Sequence, residues 1–269
     1  MAPIFETVEM HGISKRFNSL VALEDVDIFV KSGQVHALLG EKYSGKSTLM
    51  KILAGILKPD AGSMRINGSI YAPENPKLAR MQKIELVSDD SCLAFDLSVT
   101  ENIFLGRELS RLALLRKGEM LQRTRQTLAE LRHPEIAPKA RISQLSLSQR
   151  KIVHIARAIL DKPNLIIFDE PTTGLAPNEI SNLFGLFKTL KKKKIPIIYV
   201  SDTTDHVKLI SDSFTILKTG RNAARGVTSE KSIEDLNFMI KDYNPADIEN
   251  FKNNHHIELP RDKEEPKPC

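Results

Sequence analysis

Apolar and polar positions alternate in short stretches between residues 7 and 30, the period of strands that bury one face, and antiparallel strands are predicted there. Residues 35–39 are a short apolar run closed by Gly40, which reads as a buried strand. The period then changes. Leu49, Ile52, Leu53 and Ile56 recur at i, i+3, i+4 and i+7, so they share one face of a helix that begins after Lys46, and Pro59 and Gly62 are expected to end it. Ile152, Ile155, Ala156 and Ile159 mark a second such face, and Ile180, Leu183, Phe184 and Phe187 a third. Apolar runs at residues 165–168 and 195–200 flank that third helix and read as strands. Strands alternating with helices in this order indicate a largely parallel sheet with crossover helices. Residues 100–132 are charged and helical in pattern, the expected core of a separate subdomain at about residues 90–144. From about Asn244 onward, Pro245, Pro260, Pro266 and Pro268 interrupt a charged tail, residues 243–269, that is expected to lack fixed structure.

Composition changes this picture little. The chain has 269 residues, 41% hydrophobic and 27% charged, the balance of one globular domain with room for a small subdomain. A net charge of +5 suits contact with phosphates or an anionic surface without choosing between them. Cys92 and Cys269 are too few for a disulfide framework or a metal cluster, which points to a reducing, cytoplasmic setting. No apolar run approaches the roughly 18 residues that a membrane span needs, so any role at a membrane is expected to run through a partner. Aromatic residues interleaved with bases, the pattern of single-strand binders, are missing, and nucleic acid is not expected as a partner.

The candidate chemistry lies where the first buried run meets its helix. Gly40-Glu41-Lys42-Tyr43-Ser44-Gly45-Lys46-Ser47 satisfies G-x-x-x-x-G-K-[ST] in the required strand–loop–helix context. Such a loop turns backbone N–H groups toward phosphate oxygens, and the helix N-terminus adds partial positive charge. Lys46 is expected to reach the β and γ phosphates, and the Ser47 hydroxyl to ligate magnesium. The second half of such a site is an acid at the end of a buried strand. Asp169 and Glu170, after Leu165-Ile166-Ile167-Phe168, supply it: Asp169 for the metal and Glu170 to polarise the attacking water.

With these residues, the chain resembles an ABC transporter ATPase over about residues 7–242. The resemblance rests on residues 40–48, including Gly40, Ser44, Gly45, Lys46, Ser47 and Thr48, on Asp169-Glu170-Pro171-Thr172, and on Leu145-Ser146-Leu147-Ser148-Gln149. That last segment is similar to the family signature, in which Ser146 and Gln149 are nucleotide-binding positions. Thr100-Glu101-Asn102-Ile103-Phe104-Leu105-Gly106-Arg107-Glu108, with the spacing from Pro76-Lys77 to Val87, resembles ribose- and galactose-type sugar importers in particular. The family implies a RecA-like P-loop NTPase core of α/β class, with an N-terminal antiparallel β region and a helical subdomain. It implies ATP and Mg²⁺ as ligands, Phe17 stacked on adenine, and a second cassette that closes head to tail to complete each site. It also implies transmembrane permease subunits held at a groove, here near Ala94, Phe95 and Leu97, with the cassette peripheral on the inner face of the membrane.

Five positions depart from the family pattern. Tyr43 stands where the loop usually has a glycine, and a side chain there restricts positive φ and close approach. Asp89 aligns with the Q-loop glutamine, and its carboxylate keeps the ability to approach Mg²⁺ as a hard oxygen ligand. Ser148 replaces the last signature glycine, Ala176 the D-loop aspartate and Asp202 the switch histidine. An ionised aspartate accepts hydrogen bonds and cannot donate one to a γ-phosphate. Two like charges at ~4 Å cost ~1 kcal/mol in water and ~4 kcal/mol at an effective dielectric of 20. The groups expected to hold nucleotide survive, and the losses fall on loops that sense the γ-phosphate or meet the second cassette. An ATPase attenuated by Asp89, Ser148 and Asp202 is therefore expected, working with a heteromeric partner that carries the intact motifs. A nucleotide-sensing regulator uncoupled from transport is the alternative, and a soluble ABC ATPase of repair or translation a more distant one.

Overall fold

The computed structural model describes residues 5–88, 93–111 and 114–241. Its first layer is an antiparallel sheet. Strand β1 (Thr7–Phe17) pairs with β2 (Leu20–Lys31) on one side and with β4 (Ala61–Ile66) on the other, and β5 (Ser69–Ile70) completes the order β2-β1-β4-β5. The alternation buries Val8, Met10 and Ile13 completely or nearly so, while Glu9 and His11 face outward and bond to each other.

The second layer is a six-stranded sheet in the order β12-β11-β3-β10-β9-β6. Strands β3 (Val35–Leu39), β6 (Ile84–Val87), β9 (Leu165–Asp169), β10 (Ile197–Ser201) and β11 (Ser213–Lys218) run parallel, and β12 (Arg221–Val227) is antiparallel to β11. Both faces are covered, which is why these strands read as unbroken apolar runs. Alternate residues serve two separate cores. Ile166, Phe168, Ile197 and Tyr199 pack with α5 (Leu147–Ile159) and α6 (Pro177–Lys192); Leu165, Ile167, Ile198 and Val200 pack with α1 (Lys46–Leu53) and the antiparallel sheet. The expected parallel α/β core is therefore present, although the strand read at 195–200 begins at Ile197.

Helix α1 is shorter than its pattern predicts. It ends at Leu53, because Gly55 turns the chain at φ 71, so Ile56 leaves the helical face and stands 47% exposed. The helical pattern of residues 100–132 corresponds to two helices. Helix α3 (Val99–Phe104) and α4 (Lys117–Glu130) are separated by a small hairpin of β7 (Ser110–Arg111) and β8 (Leu114–Leu115). Arg107 joins this region to the sheet, with bonds to Glu85 at 3.3 Å and to Asp161 at 3.2 Å. The remaining helices are α2 (Pro76–Met81), α7 (Val207–Ile210) and α8 (Ile233–Ile240). After α6, Lys191 pairs with Asp212 at 2.7 Å and the Lys194 carbonyl accepts the Ser32 hydroxyl at 2.9 Å.

The two sheets are clamped together close to the phosphate loop. Asn222 on β12 accepts the Asp27 N–H at 2.7 Å and donates to the Asp27 carbonyl at 2.9 Å. Glu24 N–H donates to Gly220 O at 2.8 Å, and Gly220 N–H donates to Ser44 O at 3.1 Å. Among the described residues no helix is long and apolar enough to cross a membrane.

Candidate active site

The loop between β3 and α1 is shaped by its two outer glycines. Gly40 has φ 148, and a Cβ there would run into the Leu217 carbonyl and lie 2.7 Å from Ser44 Oγ. Gly45 has φ 101, and a Cβ would fall 2.7 Å from both Ala22 O and Leu23 Cδ2. Gly45 also caps α1 without any side-chain acceptor, which leaves the amides of the first turn open to an anion. Tyr43 departs from expectation: it adopts φ 67 despite its Cβ, and its ring is wholly solvent-exposed. The side chain therefore does not prevent the turn; it makes the turn strained. Ser44 Oγ is buried with no hydrogen-bond partner.

Lys46 is buried beneath this loop. Its ammonium donates to Gly40 O at 2.6 Å and to Glu41 O at 2.8 Å. Burial lowers its pKa, against the opposing pull of Glu170, Asp202, Asp169 and Glu41. The structure thus brings Lys46 together with the acidic pair, as the sequence predicts. Asp169 ends β9, and in register it lies beside Val200 of β10, the strand between β9 and β3. Glu170 follows at φ 49, with its N–H bonded to Val200 O at 3.1 Å.

Burial pushes the Glu170 carboxyl up to about 7, and the Asp202 and Asp169 charges add to this, while Lys46 and a hydrogen bond from the Asp202 backbone N–H oppose it. Asp202 therefore stands at the site in two capacities, with its amide holding Glu170 and its charge repelling it. Lys151 of α5 is a site residue that sequence reasoning missed. It donates to Glu170 O at 3.1 Å and Thr173 O at 2.8 Å, tying the signature helix to the acidic turn. Its only sequence signal is a positive charge two residues after Gln149.

The signature residues lie elsewhere, at the exposed start of α5. The Ser146 hydroxyl accepts the Gln149 N–H at 3.2 Å and Gln149 returns the bond to the Ser146 N–H at 3.1 Å, a reciprocal helix cap. Ser148 turns its hydroxyl to Ser146 at 3.0 Å, and Leu147 projects 79% exposed. None of these residues acts on Lys46. At α6, Ala176 occupies the cap position with no side-chain bond, and Glu179 receives its N–H at 2.7 Å. Phe17 ends β1 with 41% of its surface exposed, and the Lys15 ammonium lies 5.7 Å from its ring centroid. Near the expected groove, Ala94 and Leu97 are half-buried and Phe95 is exposed under the Arg150 guanidinium at 4.6 Å. Asp89, Cys92, Cys269 and the tail from residue 243 lie outside the described residues.

A strand, a glycine-bounded loop and a buried lysine opposite two strand-end carboxyls define a P-loop nucleotide-binding domain. A protein-family model described as "ABC transporter" matches residues 23–173, and the chain belongs to that family. It is 39% identical over 229 residues to a ribose import ATP-binding protein of Chelativorans sp., covering 85% of this chain and 44% of that one. A ribose import ATP-binding protein of Bacillus cereus is 36% identical over 236 residues, covering 87% and 47%. The chain thus spans about half the length of the curated relatives it matches. Among solved structures, a nucleotide-free ATP-binding cassette from an ABC transporter superposes with a TM-score of 0.76 at 25% identity, covering 91% of this chain and 98% of that one. The ADP conformation of an ABC transporter cassette gives 0.74 at 26% identity, covering 91% and 98%. The RecA-like reading of the fold is thereby shown.

Proposed function

We propose that this chain is an ATP-binding subunit of an ABC importer for a sugar or related small solute, binding MgATP and hydrolysing it slowly when alone. The observation that carries this is the Lys46 ammonium, buried between the loop carbonyls and the charges of Asp169, Glu170 and Asp202. The names of the relatives support the sugar-import assignment. On this reading the chain works on the cytoplasmic face of the membrane with permease subunits and a second cassette whose motifs complement its own.

The site fits a triphosphate with its metal. Ser44 Oγ is an orphaned buried hydroxyl in the loop, and α1 begins at Gly45 with no side-chain cap on its first turn. Among the described residues no group of three or more His, Cys, Asp or Glu forms a metal cage. That suits magnesium, which is commonly held by one or two protein groups plus substrate phosphates. Ser47, Asp169 and Asp89 are the groups assigned to it. When bound, the metal neutralises phosphate charge. Lys46 exchanges its carbonyl partners for β and γ phosphate oxygens, with Ser44 and Thr48 lining the loop. Phe17 offers its exposed face to adenine. Glu170 orients the attacking water and, in its ionised form, accepts a proton from it. Ser146 and Gln149 present the α5 start to the nucleotide of the second cassette.

Asp202 attenuates this chemistry. Its carboxylate crowds Glu170 and offers no donor to the γ-phosphate. A transition-state cost of ~3–4 kcal/mol slows turnover by several hundredfold. The test combines calorimetry of MgATP binding with phosphate release from wild type and Asp202→His. Tight binding with slow turnover that rises at least tenfold in Asp202→His is expected. Fast wild-type turnover unchanged by the substitution overturns the attenuation, and absence of MgATP binding overturns the assignment as a whole. The same crowding favours a second reading, a nucleotide sensor that drives no cycle. Failure to co-purify with permease subunits would decide for it.

A further inference from the structure

Glu170 sits in a backbone conformation that ordinary residues avoid. It follows β9 at φ 49, the left-handed region, where a Cβ crowds the following carbonyl oxygen. Gly174, at the far end of the same turn, takes φ 76 without that cost because it has no Cβ. A strained residue of this kind persists only where its surroundings hold it. On the amide side the hold is the Val200 carbonyl, which accepts the Glu170 N–H at 3.1 Å. On the carbonyl side there are two donors. The Thr173 N–H donates to Glu170 O at 3.3 Å, and the Lys151 ammonium donates to the same oxygen at 3.1 Å. That ammonium also donates to Thr173 O at 2.8 Å, so one cation spans the turn from Glu170 to Thr173.

Of the two donors on Glu170 O, Lys151 is the stronger. An ionised donor makes a shorter and firmer bond than a neutral amide, and the Thr173 bond is the longer of the pair. Lys151 is also carried by a rigid element. It is half-buried in the second turn of α5, and Ile152 and Val153, which follow it, are buried in the core. A group mounted on a packed helix is placed more closely than one on a loop. The Glu170 carbonyl and carboxyl hang from one Cα, so the direction of the carboxyl follows from the φ and ψ that these bonds fix.

We propose that Lys151 is a positioning residue for hydrolysis: by holding the carbonyls of Glu170 and Thr173, it keeps the Glu170 carboxylate aimed at the attacking water. The proposal rests on the reading of Glu170 as the group that orients that water. Lys151 acts through the backbone of the turn and does not itself meet the nucleotide.

The full chain carrying Lys151→Met keeps the unbranched stem and loses the donors. A misplacement of about 1 Å can cost on the order of a hundredfold in rate, so its kcat for phosphate release is expected to fall at least tenfold. KM and the calorimetric MgATP affinity should stay within about twofold of wild type, because Lys46 and its loop carbonyls are untouched. Lys151→Arg supplies two N–H donors again and should keep most of the wild-type rate. In a Glu170→Gln background, Lys151→Met should lower the residual rate no further, since the group it positions is already gone. Without nucleotide, Lys151→Met should speed amide exchange at Thr173 at least tenfold, a readout independent of turnover. A loss in Lys151→Arg as deep as in Lys151→Met, a further tenfold loss in the Glu170→Gln background, or unchanged exchange at Thr173 would overturn the proposal. Intact MgATP binding with an unchanged kcat in Lys151→Met would overturn this proposal alone. Absence of MgATP binding by the wild type would remove the functional assignment above and this proposal with it.

Discussion

At Glu170 the ordinary rules for a surface carboxylate fail. Burial and the Asp202 and Asp169 charges push it up to about 7 from 4.5. The folded state therefore binds a proton more tightly than the unfolded chain, and folding stability falls as pH rises from about 4.5 through about 7. Because water screens the half-buried carboxyl, the loss is expected to be about 1–2 kcal/mol. Glu170→Gln should abolish that part of the pH dependence and be more stable than wild type at pH 8. Urea denaturation of both proteins at pH 5 and pH 8 reads this directly, and parallel profiles would rule it out. Tyr43 is the counter-example at this scale. A glycine is replaced, and yet the backbone keeps φ 67, because the loop around Gly40, Gly45 and Lys46 dictates the turn.

Among the elements, α5 carries two duties, since it starts at the signature and holds the acidic turn through Lys151. Ser146→Ala removes the acceptor for the Gln149 N–H and should cost about 1 kcal/mol, the usual worth of an N-cap, measured by denaturant midpoint. A value near zero would show that Gln149 alone sustains the helix start. Much at this scale was legible in the sequence. Strands buried on both faces announce themselves as apolar runs, and the phosphate loop announces itself by two glycines and a lysine, since its geometry tolerates little else. The end of α1 was not legible, because a glycine at 55 stops the helix before the apolar period runs out. Nor was the hairpin inside residues 106–115, since strands of two residues are too short to show a period. Lys151 was invisible for another reason: its partners are backbone carbonyls on a different element.

Across the whole molecule, the clamp between the two sheets joins residues 195 apart in the chain, a separation that no local pattern discloses. Asn222 satisfies both the amide and the carbonyl of Asp27, so Asn222→Ala leaves two half-buried backbone groups without their partner. A loss of about 1–3 kcal/mol is expected, with faster amide exchange at Asp27. Unchanged exchange there would show that the sheets hold together without the clamp. The chain of bonds from Glu24 through Gly220 to Ser44 extends the same connection to the phosphate loop. Within that loop Lys46 already grips the carbonyls of Gly40 and Glu41, so its cation serves as a keystone before any guest arrives. On the proposed function, a triphosphate would meet an arch already standing and take the place of the lysine's carbonyl partners. Taking the keystone away should therefore slacken the loop itself.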